Sequence, residues 1–244
     1  MKFFKFVFCF AFLISCNNDS RKSELSLSNF IKPEYSSKES SFKCNLLEGR
    51  TLNAVERFIP KFIDSYTQVS NSTEEIFFLF PVNEDEIETQ YFEVLLKHEE
   101  ELSLDNFKMT LADLSFNEVA SCSSSTTSDN SLYLTKETIY HSPVVVEILE
   151  CEYLDEFNYA TLKLVIEQFA DALSRNQSPV DLIYSENEDI DRYFKWTNIF
   201  SSLKTRREFV ESWKELEVSK EIQSLLLEQT ICQSTALYRR YKVL

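Results

Sequence analysis

One glycine in 244 residues is the sharpest absence in this chain. Loops that cradle phosphate need glycine for close backbone approach. A P-loop, a dinucleotide fingerprint and a glycine-flanked serine elbow are therefore all excluded. Basic residues are also short, 25 against 40 acidic, for a net charge of −15. A nucleic-acid partner would require a positive footprint to displace counterions from phosphate, and none is present. The surplus of acid serves solubility. There are two histidines, His98 and His141, far from any ligand-like spacing, and no Cys-x-x-Cys pair. These absences predict no metal site and no cofactor. No apolar run reaches the length of a membrane span; the longest, Phe6 to Ile14, has nine residues.

What is present is a duplication. Cys44 opens Cys-Asn-Leu-Leu-Glu-Gly-Arg-Thr-Leu, and Cys151, at an offset of 107 residues, opens Cys-Glu-Tyr-Leu-Asp-Glu-Phe-Asn-Tyr. At that offset Leu47 falls on Leu154, Ile59 on Ile166, Phe62 on Phe169 and Asp64 on Asp171. The later cysteines, Cys122 and Cys232, lie 110 apart. Each copy reads the same way. A short strand (Phe42 to Leu47 in the first) leads to a capped amphipathic helix, with Thr51 and Asn158 as caps. Pro60 falls inside the first of these helices and predicts a kink or a shift in the helix there. Apolar strands follow at Glu75 to Val82 and Val180 to Tyr184, with turns led by Asn83 and Asn187. Alternating strands open at Tyr91-Phe92 and Tyr193-Phe194. Second helices cover Asn106 to Ala120 and a stretch opened by the capping-box-like Thr205-Arg206-Arg207-Glu208, with a break near Glu217 to Lys220. Closing strands are expected at Ser131 to Tyr140 and Ser234 to Leu244.

The fold class is therefore α+β, two tandem βαββαβ ferredoxin-like repeats, 42–140 and 141–244. Right-handed crossovers put strand one beside strand four, antiparallel. Four cysteines allow three connectivities; this topology selects Cys44–Cys122 and Cys151–Cys232. One sheet face of each repeat is left uncovered, and two repeats can close face to face. That arrangement resembles the dimeric α/β-barrel superfamily, at the level of topology over Phe42 to Leu244. The stretch from Cys44 through Gly49-Arg50-Thr51-Leu52, with the later Cys122, is similar to exported proteins of marine bacteria, a family whose activity is not established and from which nothing functional carries over.

Residues 1–15 read as an export signal, with Lys2 and Lys5 before the apolar run. Leu13-Ile14-Ser15-Cys16 resembles the lipobox of bacterial lipoproteins. That resemblance implies lipidation at Cys16, a flexible tether over 16–41, and a membrane partner reached through the lipid. Asn17, where an aspartate would favour inner-membrane retention, implies the outer membrane facing the periplasm, with the extracellular face as the other possibility.

On the third strands one face carries Phe92, Val94, Leu96 and Phe194, Trp196, Phe200, read as helix-packed core. The other carries Tyr91, Glu93, Tyr193 and Lys195, the candidate pocket, with Glu93 and Lys195 as an ion pair across the pseudo-twofold. His98, within Lys97-His98-Glu99-Glu100-Glu101, reads as exposed. Ser121 to Ser131 reads as a loop, and the acidic stretches Glu84 to Glu88 and Glu99 to Glu101 as solvated turns. No residue set reads as catalytic. The first functional expectation is a lipid-anchored, non-enzymatic binding or interaction module. The second is a small-ligand enzyme of the barrel type, such as a cofactor-poor monooxygenase or isomerase. The barrel interior discriminates: a closed cavity lined by Tyr91, Glu93, Tyr193 and Lys195 supports an enzyme or a binder, and an apolar filling supports a structural role.

Overall fold

Residues of the first strand alternate between two environments, and this alternation organises the whole chain. The computed structural model describes residues 33–70, 74–82, 90–99, 101–124, 129–135, 141–187 and 190–244. Strand β1 (Ser37–Leu46) sends Phe42, Cys44 and Leu46 into a helix-covered core and Glu39, Ser41 and Lys43 to the opposite face. It is followed by α1 (Leu52–Tyr66), β2 (Glu75–Pro81), β3 (Tyr91–His98), α2 (Glu101–Asp113), β4 (Ala120–Ser124) and β5 (Asp129–Tyr133). The second repeat is β6 (Val144–Tyr153), α3 (Tyr159–Arg175), β7 (Asp181–Asn187), β8 (Tyr193–Phe200), α4 (Leu203–Glu215), α5 (Glu217–Gln229) and β9 (Thr230–Lys242). Tyr35–Leu244 form one compact unit.

The described strands form one sheet in the order β3-β2-β9-β6-β8-β7-β5-β1, and β1 pairs back onto β3. The result is a closed eight-stranded barrel made of two ferredoxin-like repeats, the architecture of the dimeric α/β-barrel superfamily. The fourth strand of each repeat pairs with the second strand of the other, β5 with β7 and β9 with β2, and these two seams close the barrel. In the first repeat the fourth strand is split. β4 runs along Phe42–Leu46 of β1, and β5 along Ser37–Glu39.

Helices cover the outside. Helix α1 buries Val55, Phe58, Phe62 and Tyr66, spaced three and four apart, and each such side chain contributes about 1.5–3 kcal/mol of burial. Phe42, Phe62 and Tyr66 pack around Phe107 of α2. In the second repeat α3 buries Leu162, Val165, Ile166 and Phe169, and Phe169 meets Trp196 and Trp213. Cys44 is bonded to Cys122 and Cys151 to Cys232, each pair directly opposite on neighbouring strands. The lone glycine, Gly49, has φ +74°, and its counterpart at the repeat offset, Glu156, has φ +71°. The tight turn between strand and helix is thus repeated even where its glycine is not.

Several local expectations are corrected. β1 starts at Ser37, before the expected Phe42, because Ser36 and Ser37 already pair with Ser131 of β5. Thr51 precedes α1 but makes no capping bond, whereas Asn158 accepts from Ala160 and Thr161 in a full capping box. The cap of α4 is Ser202, which accepts from the Thr205 amide, so Thr205 lies inside the helix. The helix break falls at Leu216, in extended conformation between α4 and α5. Ser121 to Ser131 contains strand β4 and the start of β5. Asn83, Glu84 to Glu88, Glu100 and 136–140 lie outside the described residues.

Candidate functional site

Every neighbouring strand pair is antiparallel, so β1 and β6, four steps apart around the barrel, run in the same direction. The pseudo-twofold therefore lies along the barrel axis, and equivalent residues of the two repeats share one end. Eight strands leave an interior just wide enough for packed side chains or one small ligand. Here part of it is filled and part is open. Phe77, Val144, Ile199 and Tyr133 pack together within it. A cavity of about 400 Å³ is lined by Leu79, Leu95, Val146, Ile148, Ile183 and Ala236 and by a larger set of polar groups. Two lining residues, Lys43 and Ile190, are exposed, and both lie at the end where β1, β6 and β7 finish. The cavity opens there.

Glu39 and Asp129 are direct cross-strand partners, and both line the cavity. Asp129 is held as an anion's site should be: Lys195 donates to one oxygen and Asn187 Nδ2 to the other at 3.1 Å. Glu39 differs. The surface it retains faces the cavity, and burial pushes its carboxyl above the ordinary glutamate range. Arg240, Lys97 and Lys195 pull it down, and the neighbouring Asp129 charge pushes it up further. A carboxyl raised by burial beside an ion-paired one is an arrangement suited to proton transfer.

Phenols complete the wall. Tyr238 donates to Glu93 at 2.7 Å, and Tyr193 donates to Glu150. Burial, followed by the adjacent carboxylate charge, holds both phenols above their usual range, so they remain protonated donors. Arg240 stands 4.7 Å over the ring of Phe77.

The structure brings Glu93, Tyr193 and Lys195 onto this wall; Tyr91 is 48% exposed and outside the lining. Glu93 and Lys195 do not pair with each other. Each finds a nearer partner two strands away, Tyr238 across β2 and Asp129 across β7. His98 is buried, its Nε2 2.9 Å from Ser40 Oγ, because the helix-facing alternation Phe92, Val94, Leu96 extends through it. His141 is exposed. Glu39, Lys43, Asp129, Glu150, Tyr238 and Arg240 escaped sequence reasoning. The one signal, and for Lys43 alone, was the alternation of Ser41, Lys43 and Asn45 against Phe42, Cys44 and Leu46.

A second cavity, of about 250 Å³, lies between the sheet and helices of the second repeat, lined by Phe169, Phe194, Trp196, Phe209 and Trp213 with Glu147 and Asn198. Glu147 is occupied by Arg206 and by Asn198 Nδ2 at 3.1 Å. A metal-centred cofactor requires an imidazole, thiolate or carboxylate free to ligate. Among the described residues no cluster of three such groups exists, neither histidine lines either cavity, and the cysteines that line one are in a disulfide.

No family model matches the chain, and no curated protein matches it. Solved structures do. A protein provisionally named a monooxygenase from Lactobacillus acidophilus is similar over 85% of this chain and 95% of its own, with TM-score 0.52 and 9% identity. Another provisionally named monooxygenase, from Fusobacterium nucleatum, covers 87% and 94% with TM-score 0.54 and 6% identity. Chlorite dismutase from Candidatus Nitrospira defluvii covers 89% and 96% with TM-score 0.58 and 6% identity. Identities this low speak for the fold. They correct the first functional expectation, because the barrel is an architecture of proteins named as enzymes. The lipoprotein, outer-membrane and lipid-mediated membrane-partner readings are withdrawn with it. The structures of this fold bear the names of enzymes and not of lipid-anchored proteins, and no described helix is long and apolar enough to cross a membrane. Cys16, the export signal and the tether up to residue 32 lie outside the described residues.

Proposed function

We propose that the chain is a small-ligand enzyme of the dimeric α/β-barrel type, working by proton transfer in the cavity between its two repeats. The observation that carries this reading is Glu39: a carboxyl raised by burial, beside a paired Asp129 carboxylate, facing a cavity of ligand size. A carboxyl with raised proton affinity exchanges protons near neutral pH more effectively than an ordinary one. The names borne by structures of the same fold support an enzymatic use of the barrel.

In the proposed step Glu39 removes a proton from a carbon next to a ligand carbonyl. The C–H bond breaks, an O–H bond forms on the carboxyl, and the electron pair moves onto the carbonyl oxygen. Arg240 and Lys195, both on the wall and both close enough to act on Glu39, stabilise that oxygen's charge. Where the ligand carries a C=C bond conjugated with that enolate, the electron pair re-forms the C=O bond as the protonated carboxyl gives its proton to the far carbon of the C=C bond, so the net change is a double-bond isomerisation. Tyr193 and Tyr238, fixed on Glu150 and Glu93, position the ligand.

The test begins with a metabolite mixture, using native mass spectrometry and thermal shift to find a bound compound. Its conversion is then followed by NMR in D₂O. Glu39→Gln should keep binding and lower turnover about 10²–10⁴-fold, with loss of deuterium incorporation. Unchanged turnover in that variant would contradict the proposed role.

A further inference from the structure

The mouth of the cavity is symmetric in shape and inverted in charge. Lys43 on β1 lies directly opposite Glu93 on β3. At the equivalent place in the second repeat, Glu150 on β6 lies directly opposite Lys195 on β8. All four line the cavity, and they share its open end. Had the repeats kept the same signs, like charges would face each other across the axis and the mouth would have no net polarity. Inversion changes this. Around the barrel Glu93 and Glu150 are separated only by β2 and β9, and Lys43 and Lys195 only by β7 and β5. The glutamates therefore share one wall and the lysines the other.

The two walls differ in what balances them. Tyr238 bonds Glu93, but a phenol is neutral and leaves that negative charge in place. Lys195 is matched by Asp129, while among the described residues Lys43 has no ion pair. A cleft with low-dielectric walls focuses such a field on its occupant. Between the two walls the lining becomes aliphatic, with Leu79, Leu95, Val146, Ile148 and Ala236.

We propose that the ligand is a small ammonium carboxylate with an apolar chain, an amino-acid-like zwitterion. Its ammonium faces Glu93 and Glu150, its carboxylate faces Lys43, and its chain enters the aliphatic part of the cavity. Charge-assisted hydrogen bonds of this kind fix one orientation. This inference rests on the cavity being the ligand site proposed above.

Calorimetric titration of the full chain with phenylalanine and leucine tests it, beside their amides (ammonium only) and N-acetyl derivatives (carboxylate only). The zwitterions should bind at least about tenfold more tightly than either singly charged form. Lys43→Gln should erase the preference over the amides, and Glu93→Gln with Glu150→Gln the preference over the N-acetyl forms. Lys43→Glu combined with Glu93→Lys keeps opposite charges on that strand pair but restores twofold charge symmetry, and should abolish the preference altogether. Equal binding of all three forms, or binding of none, overturns the inference. So does zwitterion binding that survives Ala236→Trp, since that ligand would lie outside the cavity. Turnover of an uncharged compound that depends on Glu39, with no zwitterion binding, would leave the proton-transfer reading standing and remove this one alone.

Discussion

Replacing Cys151 and Cys232 by alanine removes one covalent bond and leaves every strand pairing available. The bond closes a loop of 81 residues, and in the chain-entropy model its loss releases about 4.5 kcal/mol of unfolded-state freedom. Cys44–Cys122 closes 78 residues, for nearly the same figure. The two loops do not overlap in sequence, so their effects should add. For a unit of roughly 210 residues the entropy of unfolding converts each loss into a drop in Tm of about 10 °C. Removing both bonds would take about 9 kcal/mol from a domain whose total stability is of order 5–15 kcal/mol, leaving it near the edge of folding. The assay is thermal unfolding by calorimetry and circular dichroism, with thiol titration to count free cysteines. Each single-pair variant should keep the native spectrum and melt about 10 °C lower. A drop under about 2 °C, with the thiols shown to be bonded in the wild type, would refute the reasoning that these bonds act by tying long loops.

Arg206→Met strands the Glu147 carboxylate on the helix side of the second repeat and should cost about 2–3 kcal/mol in urea denaturation, less than a fully buried pair because Arg206 keeps 27% exposure. Replacing Glu147 by leucine in the same chain should recover most of that loss. Asn158→Ala removes the capping box of α3 and should lower stability by about 1 kcal/mol, whereas Thr51→Ala should change it by less, since Thr51 makes no cap bond. Glu39 binds its proton more tightly folded than unfolded. Its contribution is therefore fully present below the ordinary glutamate value and is lost as pH rises through its raised folded value. Glu39→Gln should flatten that decline and raise stability at neutral pH; a steeper decline in the variant would reverse the sign assigned here. Ala236→Trp should fill the cavity with a loss of no more than about 1–3 kcal/mol.

The repeat, its two outer cores and the disulfide-bonded neighbours were legible because apolar periodicity writes them. Phe92, Val94 and Leu96 alternate with polar residues, and Val55, Phe58, Phe62 and Tyr66 recur at helical spacing. The interior was not legible for the same reason. A strand facing a polar cavity has no apolar alternation to betray it: in Ser37-Lys38-Glu39-Ser40-Ser41 both faces are polar, so the segment reads as tether. Asp129 sits in a serine-rich stretch that reads as loop, yet three ladder partners on β1 hold its strand in place. Glu93 and Lys195 were visible as equivalent positions, but which residues they would meet depended on strands from the other repeat. Local sequence carries no record of that seam. His98 illustrates the limit of charge as a guide, since a charged run continued a strand whose alternation kept it buried.

Whether the barrel interior is poised for proton transfer rests most directly on the ionisation of one carboxyl. Carbon-13 NMR titration of the glutamate carboxyls, with the Glu39 resonance identified by its absence in Glu39→Gln, measures it without any substrate. A midpoint displaced upward from the exposed glutamates is the expected result. A midpoint at or below theirs would show that the cavity holds Glu39 as an ordinary carboxylate, and would contradict its use as the proton-exchanging group.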